Sequence, residues 1–160
     1  SILDMFCLLT VGHVSLIRLA IAMYEYTCEV KRVVDGDTVD VVIDLGFSIL
    51  YSTRVRLYGI DTPESRTRNK DEKVRGLLSK DYLKEWLDQG GVIIRTYRDK
   101  KGKFGRVLGE MVVGGRNINL LMVEENLAVK YQGQSKDDIK KEHEINREKL
   151  IEKGVFVPNE

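Results

Sequence analysis

From Tyr24 to Gly59 apolar and polar side chains alternate with a period of two, interrupted by turns that carry glycine. Val39, Val41 and Ile43 interleave with Asp40, Val42 and Asp44. Successive side chains of an extended strand point to opposite faces, so the pattern predicts strands with one buried and one solvated face. Asp35-Gly36-Asp37 lies between two such runs. Asp-Gly is a strong hairpin signal, because it tolerates the left-handed backbone of a tight turn. Gly46 marks a second turn. Residues 52–59 form a third strand, with Val55 and Leu57 on one face and Arg54 and Arg56 on the other.

Pro63 ends this regular stretch, since it lacks an N–H and fixes its own φ. Residues 65–73 read as a polar loop. Val74, Leu77, Leu78, Tyr82, Leu83 and Trp86 then recur at helical spacing, and Gly90-Gly91 stops the helix. Residues 92–97 and 107–113 read as two further strands, joined by a basic loop that runs from Arg98 to Lys103. Residues 117–126 predict a second helix. Residues 136–153 predict a charged third helix with an apolar stripe of Ile139, Ile145 or Leu150, and Ile151. Five strands with an inserted helix fit a Greek-key barrel of the oligonucleotide-binding (OB-fold) kind, an α+β protein with three helices.

Residues 1–22 differ from the rest: apolar, almost uncharged and ending in Ala20-Ile21-Ala22 before Met23. Three readings are open. The segment is a secretory leader without a basic start, translation upstream of a true start at Met23, or an extra packed helix. Each leaves a single functional domain over residues 23–160, secreted in the first case and cytoplasmic otherwise. Lys and Arg number 26 against 25 Asp and Glu, a net charge of +1. That balance argues against a nucleic-acid coat protein held by bulk charge, but not against a few cations gathered on one phosphate. Cys7 and Cys28 make no disulfide framework, and His13 and His143 without a Cys/His cluster give no zinc site.

Three short segments carry candidate chemistry. Asp35-Gly36-Asp37-Thr38 places two carboxylates around a glycine turn, where they either decorate a hairpin or aim oxygens at a hard cation. In residues 56–64 a strand delivers Arg56, and a turn then presents Asp61, the Thr62 carbonyl and Glu64, with Pro63 fixing the backbone between them. Lys103-Phe104-Gly105-Arg106 is a basic hairpin tip or a phosphate contact.

Taken together and in this order, the three segments resemble the staphylococcal nuclease (thermonuclease-like) family, whose pattern is D-G-D-T, then R-x-x-x-(I/V)-D-T-P-E, then (K)-(Y/F)-G-R. The resemblance runs from about Thr27 to Glu152. It implies that Asp37, Asp61 and the Thr62 carbonyl are ligands of a Ca2+ ion, with Asp35 as a supporting carboxylate. It implies that Glu64 orients or deprotonates the attacking water, and that Arg56 and Arg106 grip the scissile phosphate. Lys103, Phe104 and Tyr131 become candidate substrate contacts. Phe104 stands where the family often has tyrosine, which implies loss of a hydroxyl contact while the ring remains. Residues 73–78 lack the glutamate-alanine pair common in relatives and fit as packing. After the second helix the tyrosines are thinned to Tyr131, followed by Gln132-Gly133-Gln134.

The function implied is calcium-dependent hydrolysis of phosphodiester bonds in DNA and RNA, with little sequence preference and 3′-phosphate products. The chain would act as a monomer and need no membrane. The rival reading is a catalytically inactive nucleic-acid-binding domain of the same kind, although no acidic ligand or arginine of the pattern is missing. The remaining features read as structural: Trp86 in the core, Cys28 as a buried strand thiol, and His143 as inert on a solvated helix face.

Overall fold

Tyr24–Asp35 (β1), Thr38–Asp44 (β2) and Leu50–Leu57 (β3) form an antiparallel meander in the computed structural model, which describes residues 24–98 and 106–158. Residues 1–22, Lys103 and Phe104 lie outside the described residues. Lys70–Leu87 (α1) follows the short strand Ile60–Asp61 (β4). Ile93–Tyr97 (β5) and Val107–Val113 (β6) then pair antiparallel. Arg116–Asn117 (β7), Ile118–Glu124 (α2), Val129–Lys130 (β8) and Lys136–Glu152 (α3) complete the chain.

The sheet order is β3-β2-β1-β5-β6, and a parallel pairing of β3 with β6 closes it into a five-stranded barrel. Closure leaves these strands no free edge and brings Arg56 beside Leu108. The alternation read in β2 is realised, for Val39, Val41 and Ile43 are almost wholly buried. Val55, Leu57, Ile94 and Met111 join them inside the barrel. Each such side chain contributes roughly 1.5–3 kcal/mol on burial. Outside, Asp40 lies in register between Arg32 of β1 and Arg54 of β3. It accepts bonds from both guanidinium groups, at 2.9 Å from Arg32 and 2.7 Å from the Arg54 Nε.

Three short strands, β4, β7 and β8, add to the five expected. The first helix begins at Lys70, within the expected loop, because the Asn69 side chain accepts the Glu72 amide and caps it. Leu77 and Ile145 are exposed, so neither contributes to the apolar stripes expected of them. On α3 the face that meets the body carries His143, Asn146, Arg147 and Leu150, of which Leu150 is buried. Trp86 packs partly buried against the core with Arg116 over its ring, and burial pushes the half-buried Cys28 thiol up to about 11. No described helix is long and apolar enough to cross a membrane.

Candidate active site

β1 carries one extra residue at Val34, since Val33 faces Val39 while Asp35 already faces Thr38. A bulge of this kind twists the strand and redirects the side chains that follow it. Asp35 and Asp37 therefore leave the barrel wall around the tight Gly36 turn. Gly36 is also required by space, because a Cβ there would lie 2.9 Å from both Thr62 Oγ1 and Ser79 Cβ. The absence of that carbon lets the β1–β2 turn settle against the segment that follows β4.

Arg56, at the end of β3, is the hub. Its Nη1 stands 3.1 Å from Asp37 Oδ2, and its Nη2 stands 3.2 Å from Asp61 Oδ1. Nη1 also donates to the Ile60 carbonyl at 3.1 Å, which fixes the guanidinium against the turn. The Thr62 amide donates to Asp37 Oδ2 at 3.3 Å, and Thr38 Oγ1 donates to Asp37 Oδ1 at 2.9 Å. Asp37 thus links Arg56 to Thr62, 25 residues further along the chain, and Arg56 links Asp37 to Asp61. The second oxygen of Asp61, Oδ2, meets Nε2 of His143 at 2.8 Å. His143 therefore does not lie on a solvated helix face, as the sequence led one to expect, but packs against the cluster.

The electrostatics of the cluster are negative on balance. Burial of the Asp37 carboxyl raises its pKa above the ordinary 3.8, and neither Arg56 nor the Thr38 hydroxyl fully compensates. Glu64 is raised as well, first by burial and then by the charges of Asp35, Asp37, Glu72 and Asp61. Glu64 is held in place by its backbone. A Cβ on Gly76 of α1 would lie 2.6 Å from the Glu64 carbonyl carbon, so only glycine lets helix and loop approach so closely. Ser79, one turn further along α1, donates to the Leu127 carbonyl at 2.6 Å and ties the helix to the segment before β8.

Among the described residues no group of three or more His, Cys, Asp or Glu side chains gathers closely enough to hold a metal by side chains alone. What converges is a pair of carboxylates, Asp37 and Asp61, with Thr62 between them. The Thr62 hydroxyl is buried without a partner among the described residues. Such an all-oxygen set completed by a carbonyl and waters suits a hard, irregularly coordinated cation such as calcium and does not suit zinc. The residues fit.

The other expected residues stand further out. Asp35 accepts the Gly36 amide at 2.9 Å, and its charge reaches Glu64. Arg106 is exposed immediately before β6, where the β3–β6 pairing sets it beside the Arg56 end of β3. Tyr131 does not join the carboxylate cluster. Its amide donates to the Gly59 carbonyl at 2.8 Å, and its exposed ring lines a cleft of about 270 Å3 with Tyr58, Glu110 and Lys130. Tyr58 in turn stacks on Tyr97 with ring centroids 3.9 Å apart. Asn119 is a buried residue that the sequence reading passed over. It accepts the Met111 amide at 3.1 Å and donates to the Tyr58 carbonyl at 3.0 Å, pinning α2 to the end of β3. An asparagine at an otherwise apolar helix position was the available signal.

Comparison with known proteins agrees with the geometry. Residues 54–153 match the family described as staphylococcal nuclease homologue. The chain is 35% identical over 99 residues to a thermonuclease of Staphylococcus intermedius, covering 62% of this chain and 56% of that protein. It is 34% identical over 114 residues to endonuclease YhcR of Bacillus subtilis (strain 168), covering 67% of this chain and 9% of that one. To a micrococcal nuclease of Shigella flexneri it is 28% identical over 136 residues, covering 79% of this chain and 71% of that protein. The chain therefore spans little more than half of the thermonuclease and under a tenth of YhcR.

Proposed function

The chain belongs to the staphylococcal nuclease family, and from that premise we propose that it is a calcium-dependent nuclease. It would hydrolyse phosphodiester bonds in DNA and RNA with little sequence preference and leave 3′-phosphate ends. The observation that carries the reading is the position of Arg56, whose guanidinium lies within 3.1 Å of Asp37 and 3.2 Å of Asp61. The arrangement sets a fixed cation beside the two carboxylates best placed to hold another.

Asp37, Asp61 and the Thr62 carbonyl would hold the ion, with Asp35 supporting them. Bound there, calcium would supply positive charge to a non-bridging phosphate oxygen and acidity to a coordinated water. Arg56 keeps donors for substrate, because a guanidinium has five N–H groups and the described contacts engage only Nη1 and Nη2. Arg106 would approach the phosphate from the neighbouring strand. Arg56, held by its carboxylate and carbonyl partners, would meet the charge that grows on phosphate oxygens as water adds without reorganisation at the barrier, and Arg106 would add a second guanidinium. Glu64 would orient the water and accept its proton. Burial and the neighbouring carboxylates raise the Glu64 pKa, which makes it a stronger base than an ordinary glutamate. Lys103, Phe104 and Tyr131 would contact the strand beyond the scissile phosphate, and contacts to phosphate and to ring faces carry little sequence information. The same residues need neither a membrane nor a second subunit to act.

The test is incubation with single-stranded DNA in calcium, with and without chelator. Cleavage that chelator abolishes, and that Glu64→Ala and Arg106→Ala suppress by 100-fold or more with the fold retained, is the expected result. Binding of the strand without cleavage would overturn the reading in favour of an inactive nucleic-acid-binding domain.

A further inference from the structure

His143 is delivered to the carboxylate cluster by the whole packing of α3. The residues that fasten the helix lie on one face at helical spacing. Arg75 of α1 donates to the His143 carbonyl at 3.4 Å, Asn146 donates to the Ala128 carbonyl at 3.1 Å, and Arg147 bonds Asp71 of α1 at 2.9 Å. Leu150 is buried one turn further on. With α3 so held over β8, and β8 paired with β4 so that Val129 faces Asp61, the imidazole is aimed at Asp61 across 82 residues of sequence. The side chain of His143 is only 14% exposed.

The chemistry of the contact is directional. A carboxylate only accepts, so Nε2 carries the hydrogen that lies between the two groups. His143 Nδ1 is buried and has no partner among the described residues, so none of them pulls the ring away from Asp61. Asp61 therefore receives one donor on each oxygen, Arg56 on Oδ1 at 3.2 Å and His143 on Oδ2 at 2.8 Å. The carboxylate torsion of aspartate is otherwise broad, and two donors on opposite oxygens stop its rotation. Each oxygen keeps a second lone pair for another contact.

We propose that His143 is a positioning residue which locks the Asp61 carboxylate in the orientation that receives the divalent cation. The proposal rests on the metal reading given above. Partners that orient a ligating carboxylate typically change metal affinity 10- to 100-fold when removed.

Calorimetric titration of calcium into the full chain tests the assignment in the absence of substrate. His143→Ala is expected to weaken calcium binding about 10-fold or more. His143→Gln, whose amide nitrogen can donate from a similar position, is expected to stay within about threefold of the parent. Unchanged affinity in a folded His143→Ala overturns the proposal. So does an equal loss in His143→Gln and His143→Ala, since that would mean that packing and not the donated hydrogen matters. If the parent chain itself takes up no calcium, the metal reading fails, and the proposal fails with it.

Discussion

Gly76 of α1 faces the backbone of Glu64 so closely that a Cβ at residue 76 would lie 2.6 Å from the Glu64 carbonyl carbon and 2.7 Å from the Pro63 carbonyl oxygen. These are backbone atoms, so a methyl group cannot be accommodated by turning a side chain. Gly76→Ala must push α1 and the Pro63-Glu64 segment apart. A displacement of the order of 1 Å at a catalytic group costs up to about 100-fold in rate. The expected outcome is a 10- to 100-fold loss in kcat for DNA cleavage at saturating calcium, with the far-ultraviolet circular dichroism spectrum retained.

The rate should also carry the signature of the charges around Glu64. Burial and the neighbouring Asp35, Asp37, Glu72 and Asp61 raise its pKa above the ordinary 4.5. A base must be ionised to act, so activity should fall as pH falls through the raised value, above the pH at which a free glutamate would protonate. Glu72→Gln removes one repelling charge and should move this acid limb to lower pH. A pH profile of kcat/KM in the two proteins checks the shift, and no shift would show that Glu64 is not the titrating group.

Asp37 gives a prediction of opposite sign for stability. Its folded pKa lies above the unfolded value because burial of the charged carboxyl outweighs the help of Arg56. The folded state therefore binds the proton more tightly, and this group's contribution favours folding at low pH and is lost as pH rises through the folded pKa. Asp37→Asn removes that unfavourable charge. With chelator present at neutral pH it should stabilise the protein by roughly 0.5–2 kcal/mol, and the gain should vanish below the unfolded pKa of an aspartate. Chemical denaturation at two pH values measures it. Calcium binding by the same variant should be severely weakened, so the residue trades stability for function.

Much of this was legible in the chain, and the reasons are physical. Val39, Val41 and Ile43 announce their strand because alternate residues must face the barrel interior, where they are buried. The barrel itself could be inferred from the order of elements. Strands of two residues, such as Ile60–Asp61 and Val129–Lys130, have no period to read. The start of α1 was legible in principle, since Asn69 followed by Glu72 is a capping pattern, but the polar residues around it read as a loop. The candidate site was legible where its residues sit in one turn, as with Asp61, Thr62 and Glu64. The contact of His143 with Asp61 was not, because it depends on how α3 docks on α1 and β8. The register of α3 misled in the same way. Its inward face carries Asn146 and Arg147, which find partners, while Ile145 beside them points to solvent.

The most direct check on the central claim is the dependence of DNA cleavage rate on calcium concentration in Asp61→Ala against the parent. Asp61 touches Arg56 on one oxygen and His143 on the other, so it joins the arginine of β3 to helix α3. If Asp61 holds the ion, half-maximal rate should require at least about 10-fold more calcium, and the maximal rate should fall as well. An unchanged half-saturating concentration together with an unchanged maximal rate would contradict the account.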